Sequence, residues 1–288
     1  MPMLKGMGSR TTPLDRVCIS IYREHLTETG FLLTYRQSYF ADSSISWLDV
    51  EESEERLAAH IDGIELGGEL AYQCALEFLA GGDEDQTLGA IYALASINDK
   101  GQALTTIVDA FTQAPDDQLA LYVEAFKHAQ HPHLSEKLLA LLDHERLIIR
   151  AACTEILGYR REGDPKRLWP SLRSTDAMVQ GTAMYAAVRY GFKEALATLE
   201  QIALDGKDAV EDSELLALLC LGSKRALERC RTQCSSATNV TPSALLYLAL
   251  AGNERDMPVF LQARTFPGQT APVCRAVGYF GMASAVPM

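Results

Sequence analysis

Four histidines crowd the stretch KHAQHPHLSEKLLALLDHE: His128, His131, His133 and His144. Three of them fall within six residues, at a break between two helix-forming segments. They are the densest set of metal-ligand residues in the chain, because a neutral imidazole nitrogen is a common zinc ligand. Their spacing matches no tight ligand pattern such as H-E-x-x-H, and His131-Pro132 by itself suffices to end one helix and start another. The sequence therefore predicts no metal and no other cofactor, with His128, His131 and His133 as the weak candidate ligands.

Glu55, His60 and Asp62 offer an acid and a base. On a helix Glu55 and Asp62 share a face while His60 points elsewhere, so the three read as structural, with His60 holding a backbone or carboxylate contact. Cys230 and Cys234 stand one helical turn apart, yet no further Cys or His lies near them in sequence. The seven cysteines are odd in number and mostly sit in apolar helical patterns. They are expected to be reduced, buried thiols. Gly67-Gly68 and Gly81-Gly82 lack the Lys-Ser/Thr that completes a phosphate loop, and no Ser, His and Asp set stands in a recognisable context. The chain is expected not to be an enzyme.

Recognition has a better candidate. Trp169 is flanked by Arg167 and Arg173, an aromatic–guanidinium grouping typical of the anchors of protein interfaces. A tryptophan that fills a gap between neighbouring helices is the competing role.

Stepping outward, these residues sit on a repeat. A helical run rich in Ala, Leu and Tyr is followed by a short polar break and an aliphatic residue that opens a second helix. The openers are Leu104, Leu134, Leu168, Leu196, Leu227, Met257 and Val286, spaced 30, 34, 28, 31, 30 and 29 residues apart. The long interval holds the extra turn residues GYRREGDP. First helices are expected over 84–97, 116–129, 145–159, 176–190, 211–221, 242–251 and 270–280. Second helices are expected over 101–112, 133–142, 166–173, 193–204, 224–233 and 255–264. Gly191, Gly222, Gly252 and Gly281 stand where helices stop and the backbone often needs a positive φ. Strand alternation is absent. A lone helix pair cannot bury its apolar face, so the expected fold is all-α: a right-handed α-solenoid of helical pairs, about 30 residues per repeat. Residues 81–288 form the array, its last repeat incomplete and its open C-terminal end apolar, which invites packing on a second copy. Residues 1–80 depart from the period and read as an N-terminal helical cap, with Asp49 capping a helix and the aromatics of FLLTYRQSYF shielding the open end.

Charge narrows the partners. The chain is 288 residues long with a formal net charge of −12. Residues 51–100 hold 12 acidic and 2 basic side chains, and residues 151–288 hold 14 and 15. Nucleic acid would be repelled by the first block and barely attracted by the second. No apolar run is long enough to cross a bilayer and the N-terminus lacks a signal-peptide pattern, so a cytoplasmic protein is expected.

The segments YREHLTETGFLLTYRQ and ERLAAHIDGIELGGELAYQCALEFL, followed by degenerate helical pairs with a G-D-P turn, resemble a HEAT-like repeat family encoded in bacterial type VI secretion gene clusters. The run Glu55-Arg56-Leu57-Ala58-Ala59-His60-Ile61-Asp62-Gly63 is its most specific element, and the resemblance covers roughly residues 20–286. It implies a link to secreted antibacterial effectors and supplies no catalytic residues. The expected function is a non-enzymatic protein-binding scaffold, an adaptor, chaperone or immunity-type protein whose partner is an effector or a tube or spike component. The alternatives are a HEAT-fold enzyme, either an alkylated-base DNA glycosylase or a bilin lyase, and a self-associating structural protein.

Overall fold

A computed structural model describes residues 12–39, 42, 44–98, 101–205 and 210–281, apart from the side chains of residues 37 and 47. The described residues are all-helical, with no strand among them. Val286, expected to open the last second helix, lies outside them. The chain divides into two compact units, residues 1–167 and 168–288.

The first unit holds α1 (Pro13–Tyr39), α2 (Trp47–Leu66), α3 (Gly68–Gly81), α4 (Glu84–Ser96), α5 (Gln102–Gln113), α6 (Leu119–His128), α7 (Leu134–Ala140) and α8 (Leu147–Arg160). Its centre is α4, where every residue from Leu88 to Ala95 is buried. Such a helix must be covered on all sides, and α1, α3, α5 and α6 cover it. Small side chains at Gly89, Ala90, Ala93 and Ala95 let these neighbours approach closely. Beyond it α6 packs on α8, so successive first helices stack as α4, α6 and α8. The second helix α5 is simply amphipathic: Ala103, Leu104, Ile107, Val108 and Phe111 fill one face.

The second unit holds α9 (Trp169–Leu172), α10 (Ala177–Tyr190), α11 (Leu196–Leu204), α12 (Asp212–Cys220), α13 (Lys224–Cys234), α14 (Pro242–Ala251), α15 (Met257–Ala263) and α16 (Thr270–Phe280). Here α10, α12, α14 and α16 stack in sequence, and α11, α13 and α15 stack beside them. Each unit has its own continuous apolar core. Short 3-10 turns precede α6, α9, α11 and α15.

The described helices fall on the expected segments, and Leu134, Leu196 and Met257 open α7, α11 and α15. In the second unit Leu196, Leu227 and Met257 are only half-buried, while Ala195, Ala226 and Asp256, one residue earlier, are fully enclosed. The buried column therefore runs Leu168, Ala195, Ala226, Asp256, each followed four residues later by Leu172, Leu199, Cys230 or Phe260.

Helix ends supply three further corrections. The cap of α2 is Ser46, whose hydroxyl accepts from the Asp49 amide while the Asp49 carboxylate accepts from the Ser46 amide; Asp49 is the third helical residue of a capping box. Gly191, Gly222 and Gly281 do take positive φ (64°, 86° and 64°), whereas Gly252 is extended at φ −82°. Space dictates that glycine: a Cβ there would lie 2.4 Å from the Leu248 carbonyl oxygen and 2.6 Å from Asp256 Oδ2. Finally, the aromatics of residues 31–39 do not all shield a core, since Phe31 and Tyr35 are about half exposed on the outside of α1.

Candidate functional site

Trp169 opens α9, with Pro170 beside it in the first turn, where a missing amide hydrogen does no harm. Its indole is half-buried and meets Phe192 edge-on, ring centroids 5.3 Å apart. It shares the register of Leu196, Leu227 and Met257, the half-buried column that packs against the core of the second unit. Pro170 follows Trp169 as Pro258 follows Met257. The guanidinium of Arg173 lies over the indole, 5.1 Å from its centre, a cation–π contact. Arg167 belongs to the first unit, where its Nη2 stands 3.5 Å from the Leu139 carbonyl oxygen. The described contacts unite Trp169 with Arg173 and give Arg167 different company.

Arg173 occupies a position that does other things in later repeats. It follows buried Leu172 as Glu200 follows Leu199 and Arg231 follows Cys230. Glu200 Oε1 accepts from the Ser223 hydroxyl at 2.5 Å, at the start of α13. Arg231 reaches Asp256, at the start of α15, with Nε–Oδ1 2.6 Å and Nη2–Oδ2 3.0 Å. Asp256 is 3% exposed and also accepts from the Asn253 amide at 2.9 Å. Burial raises its carboxyl, but the Arg231 guanidinium and the Asn253 amide outweigh that and hold it below the ordinary value of 3.8. Opposite charges spaced 25 residues apart are the one sequence signal for this pair, and the repeat period conceals it.

The three candidate histidines take separate tasks. His128 Nε2 is 3.2 Å from Glu124 Oε1, and its ring meets Tyr159 edge-on. His131 is buried at 2% exposure, and its Nδ1 accepts the His133 amide at 3.1 Å. His133 Nδ1 pairs with Glu136 at 3.4 Å, both side chains well solvated. His144 repeats the His131 turn, its Nδ1 accepting from the Arg146 amide at 3.1 Å. Among the described residues no group of three or more His, Cys, Asp or Glu is placed to hold a metal ion. The imidazoles at residues 131 and 144 work as turn acceptors, which explains their spacing better than ligation does. A cleft of about 540 Å³ between α5 and α7 is bordered by Thr105, His131, His133, Glu136 and Lys137.

His60 does not meet Glu55 or Asp62. Its Nδ1 lies 2.8 Å from Nδ1 of His25 on α1, the rings edge-on with centroids 5.1 Å apart. Burial and then the neighbouring His25 hold His60 below the ordinary histidine value of 6.5. Cys230 and Cys234 are fully enclosed, and burial pushes their thiols to about 11 and about 12, far from the thiolate that a metal or a nucleophile requires.

No family model matches the chain, and no curated protein matches it. Among solved structures, a crystal structure titled as an engineered protein aligns over 95% of this chain and 75% of its own, at 17% identity and a TM-score of 0.27. That score is too low for the likeness to bear on fold or function. No helix among the described residues is long and apolar enough to cross a membrane.

Proposed function

We propose that the chain is a right-handed α-solenoid of HEAT-like helical pairs, begun by a helical cap over residues 1–80, and that it serves as a non-enzymatic protein-binding scaffold. In this reading it is a cytoplasmic adaptor, chaperone or immunity-type protein for type VI secretion effectors, in keeping with the sequence resemblance over residues 20–286. The observation that carries the reading is the stacking of like on like within each unit: α4, α6 and α8 in the first, and α10, α12, α14 and α16 beside α11, α13 and α15 in the second. Helix pairs that contact only their neighbours build long surfaces of modest contacts, suited to a protein partner. Trp169 and Arg173 supply an anchor of the kind such surfaces use, a half-buried aromatic under a guanidinium.

Affinity purification of the tagged chain from its native host tests this. The expected result is a stoichiometric protein partner that is lost with Trp169→Ala and also with Arg173→Glu, the latter leaving helicity and melting unchanged. A chain that purifies alone sinks the scaffold reading. A Trp169→Ala variant that melts early but still holds its partner returns Trp169 to a packing role.

A further inference from the structure

The outside of α1 turns five large apolar side chains to solvent. Near its start Leu14, Val17 and Ile21 are 70, 57 and 45% exposed, and near its end Phe31 and Tyr35 are 48 and 45% exposed. At 100° per residue they share one sector of the helix, opposite Leu26, Gly30 and Leu33, which are buried. The aromatic end is ordered: Phe31 and Tyr35 stack at 5.8 Å with planes 7° apart, and Tyr39 meets Tyr35 edge-on at 4.9 Å. The Tyr39 hydroxyl is tied to Ser53 of α2, which fixes the base of this ladder. Between the two apolar ends stand Glu24, exposed, and Glu28.

Charge decides what covers this face. Residues 12–85 hold 16 carboxylates and only four cations, all arginines. Three of the four are already paired: Arg23 with Glu77 at 2.6 Å, Arg36 with Glu54 at 3.0 Å and Arg56 with Glu28 at 3.5 Å. A second copy laid along α1 would set Glu24 and its acidic surroundings against themselves. Anionic lipid would meet the same repulsion. A cationic helix would be drawn in, and its apolar side chains would find Leu14, Val17 and Ile21 at one end and the aromatic ladder at the other.

We propose that the outer face of α1 docks a helix of a partner protein, apolar at both ends of the contact and bearing Lys or Arg between them. The proposal rests on the scaffold reading but uses a surface separate from Trp169. Large rigid aromatics give much contact area at little entropic cost, so Phe31 and Tyr35 form the anchor and Glu24 reads the charge.

The test is fluorescence anisotropy with two labelled helical peptides of about 18 residues, identical in their apolar ends and carrying Lys or Glu at the centre. The full chain is expected to bind the Lys peptide at low salt at least about tenfold more tightly than the Glu peptide. Phe31→Ser with Tyr35→Ser should weaken the Lys peptide by about tenfold or more, with helicity unchanged because both residues are exposed. Glu24→Lys should erase most of the preference between peptides, and Trp169→Ala should change nothing. Equal binding of the two peptides overturns the proposal, as does binding indifferent to Phe31 and Tyr35, binding lost with Trp169→Ala, or a dimer that the Phe31/Tyr35 variant dissolves. Absence of peptide binding overturns it too. If a host partner that needs Trp169 still co-purifies in that case, the scaffold reading stands and only this surface falls.

Discussion

Gly30 and Gly89 let the backbones of α1 and α4 touch. A Cβ on Gly89 would fall 2.0 Å from the Leu26 carbonyl oxygen and 2.9 Å from the Gly30 amide nitrogen, and one on Gly30 would fall 1.9 Å from the Asp85 carbonyl oxygen. Neither obstacle is a flexible side-chain tip, so relief requires the helices to part, and α4 is the buried centre of the first unit. Gly89→Ala should therefore cost about 3 kcal/mol, at the upper end of what overpacking does, despite the better helix propensity of alanine. Urea unfolding measures it. Gly181→Ala in α10, with nothing within 4 Å of its Cβ, is the matched control and should gain about 0.5–1 kcal/mol. Equal effects at the two sites would show that the α1–α4 crossing is looser than described.

Arg231 and Asp256 carry the second prediction. Asp256 stands where the two preceding repeats place Ala195 and Ala226, and the guanidinium supplies its carboxylate with a countercharge. Arg231→Met leaves that charge enclosed and should cost about 2–3 kcal/mol, less than a fully buried pair because Arg231 keeps a quarter of its exposure. Asp256→Ala restores the residue of the neighbouring repeats and should cost less than Arg231→Met. The reverse order, by thermal or urea melts, would show that packing around Asp256 matters more than its charge.

The helices were legible because their signal is local: apolar residues at helical spacing and stop glycines such as Gly191. The spacing of the openers did not show that Ala195, Ala226 and Asp256, one residue earlier, are the enclosed ones in the second unit. Contacts between residues far apart in sequence left no such trace. His60 was expected to hold a backbone or carboxylate contact, when its partner is His25, 35 residues earlier. Gly30 and Gly89 look like ordinary helix-weakening glycines until the crossing is seen. Phe31 and Tyr35 were expected to shield the open end of the array, and only the placement of α2, α3 and α4 on the other side of α1 shows them outside.

Arg161 ends α8 in the left-handed region, φ 55°, the only non-glycine among the described residues with positive φ. Gly191 holds the same conformation at the end of α10. A branched-backbone penalty of roughly 1 kcal/mol attaches to a residue with a Cβ there. Arg161→Gly should relieve it, offset in part by the greater freedom of glycine in the unfolded chain, for a net gain of about 0.5 kcal/mol. A small rise in melting temperature is the expected reading, and a fall would mean that the exposed Arg161 side chain contributes contacts of its own.

His25 and His60 predict how stability follows pH. With both rings neutral, one Nδ1–H can donate to the other Nδ1 2.8 Å away, whereas charging both rings would set two donors and two positive charges face to face. Glu24 and Glu28 on α1 favour the charged form of His60 and Arg56 on α2 opposes it, yet burial and His25 prevail and the folded value lies below 6.5. Gly63 leaves the pair little room to part, since a Cβ there would come within 2.9 Å of His25 Nε2. With the folded value lowered, the unfolded chain binds the proton more readily. The stabilising contribution is thus fully present above the ordinary histidine value and is lost as pH falls through the lowered one. The urea midpoint should drop between about pH 7.5 and pH 5.5, and His60→Gln should flatten that drop while lowering stability at the upper end. A wild-type midpoint that holds steady across this range, or one that falls equally in His60→Gln, would remove the pair as its cause.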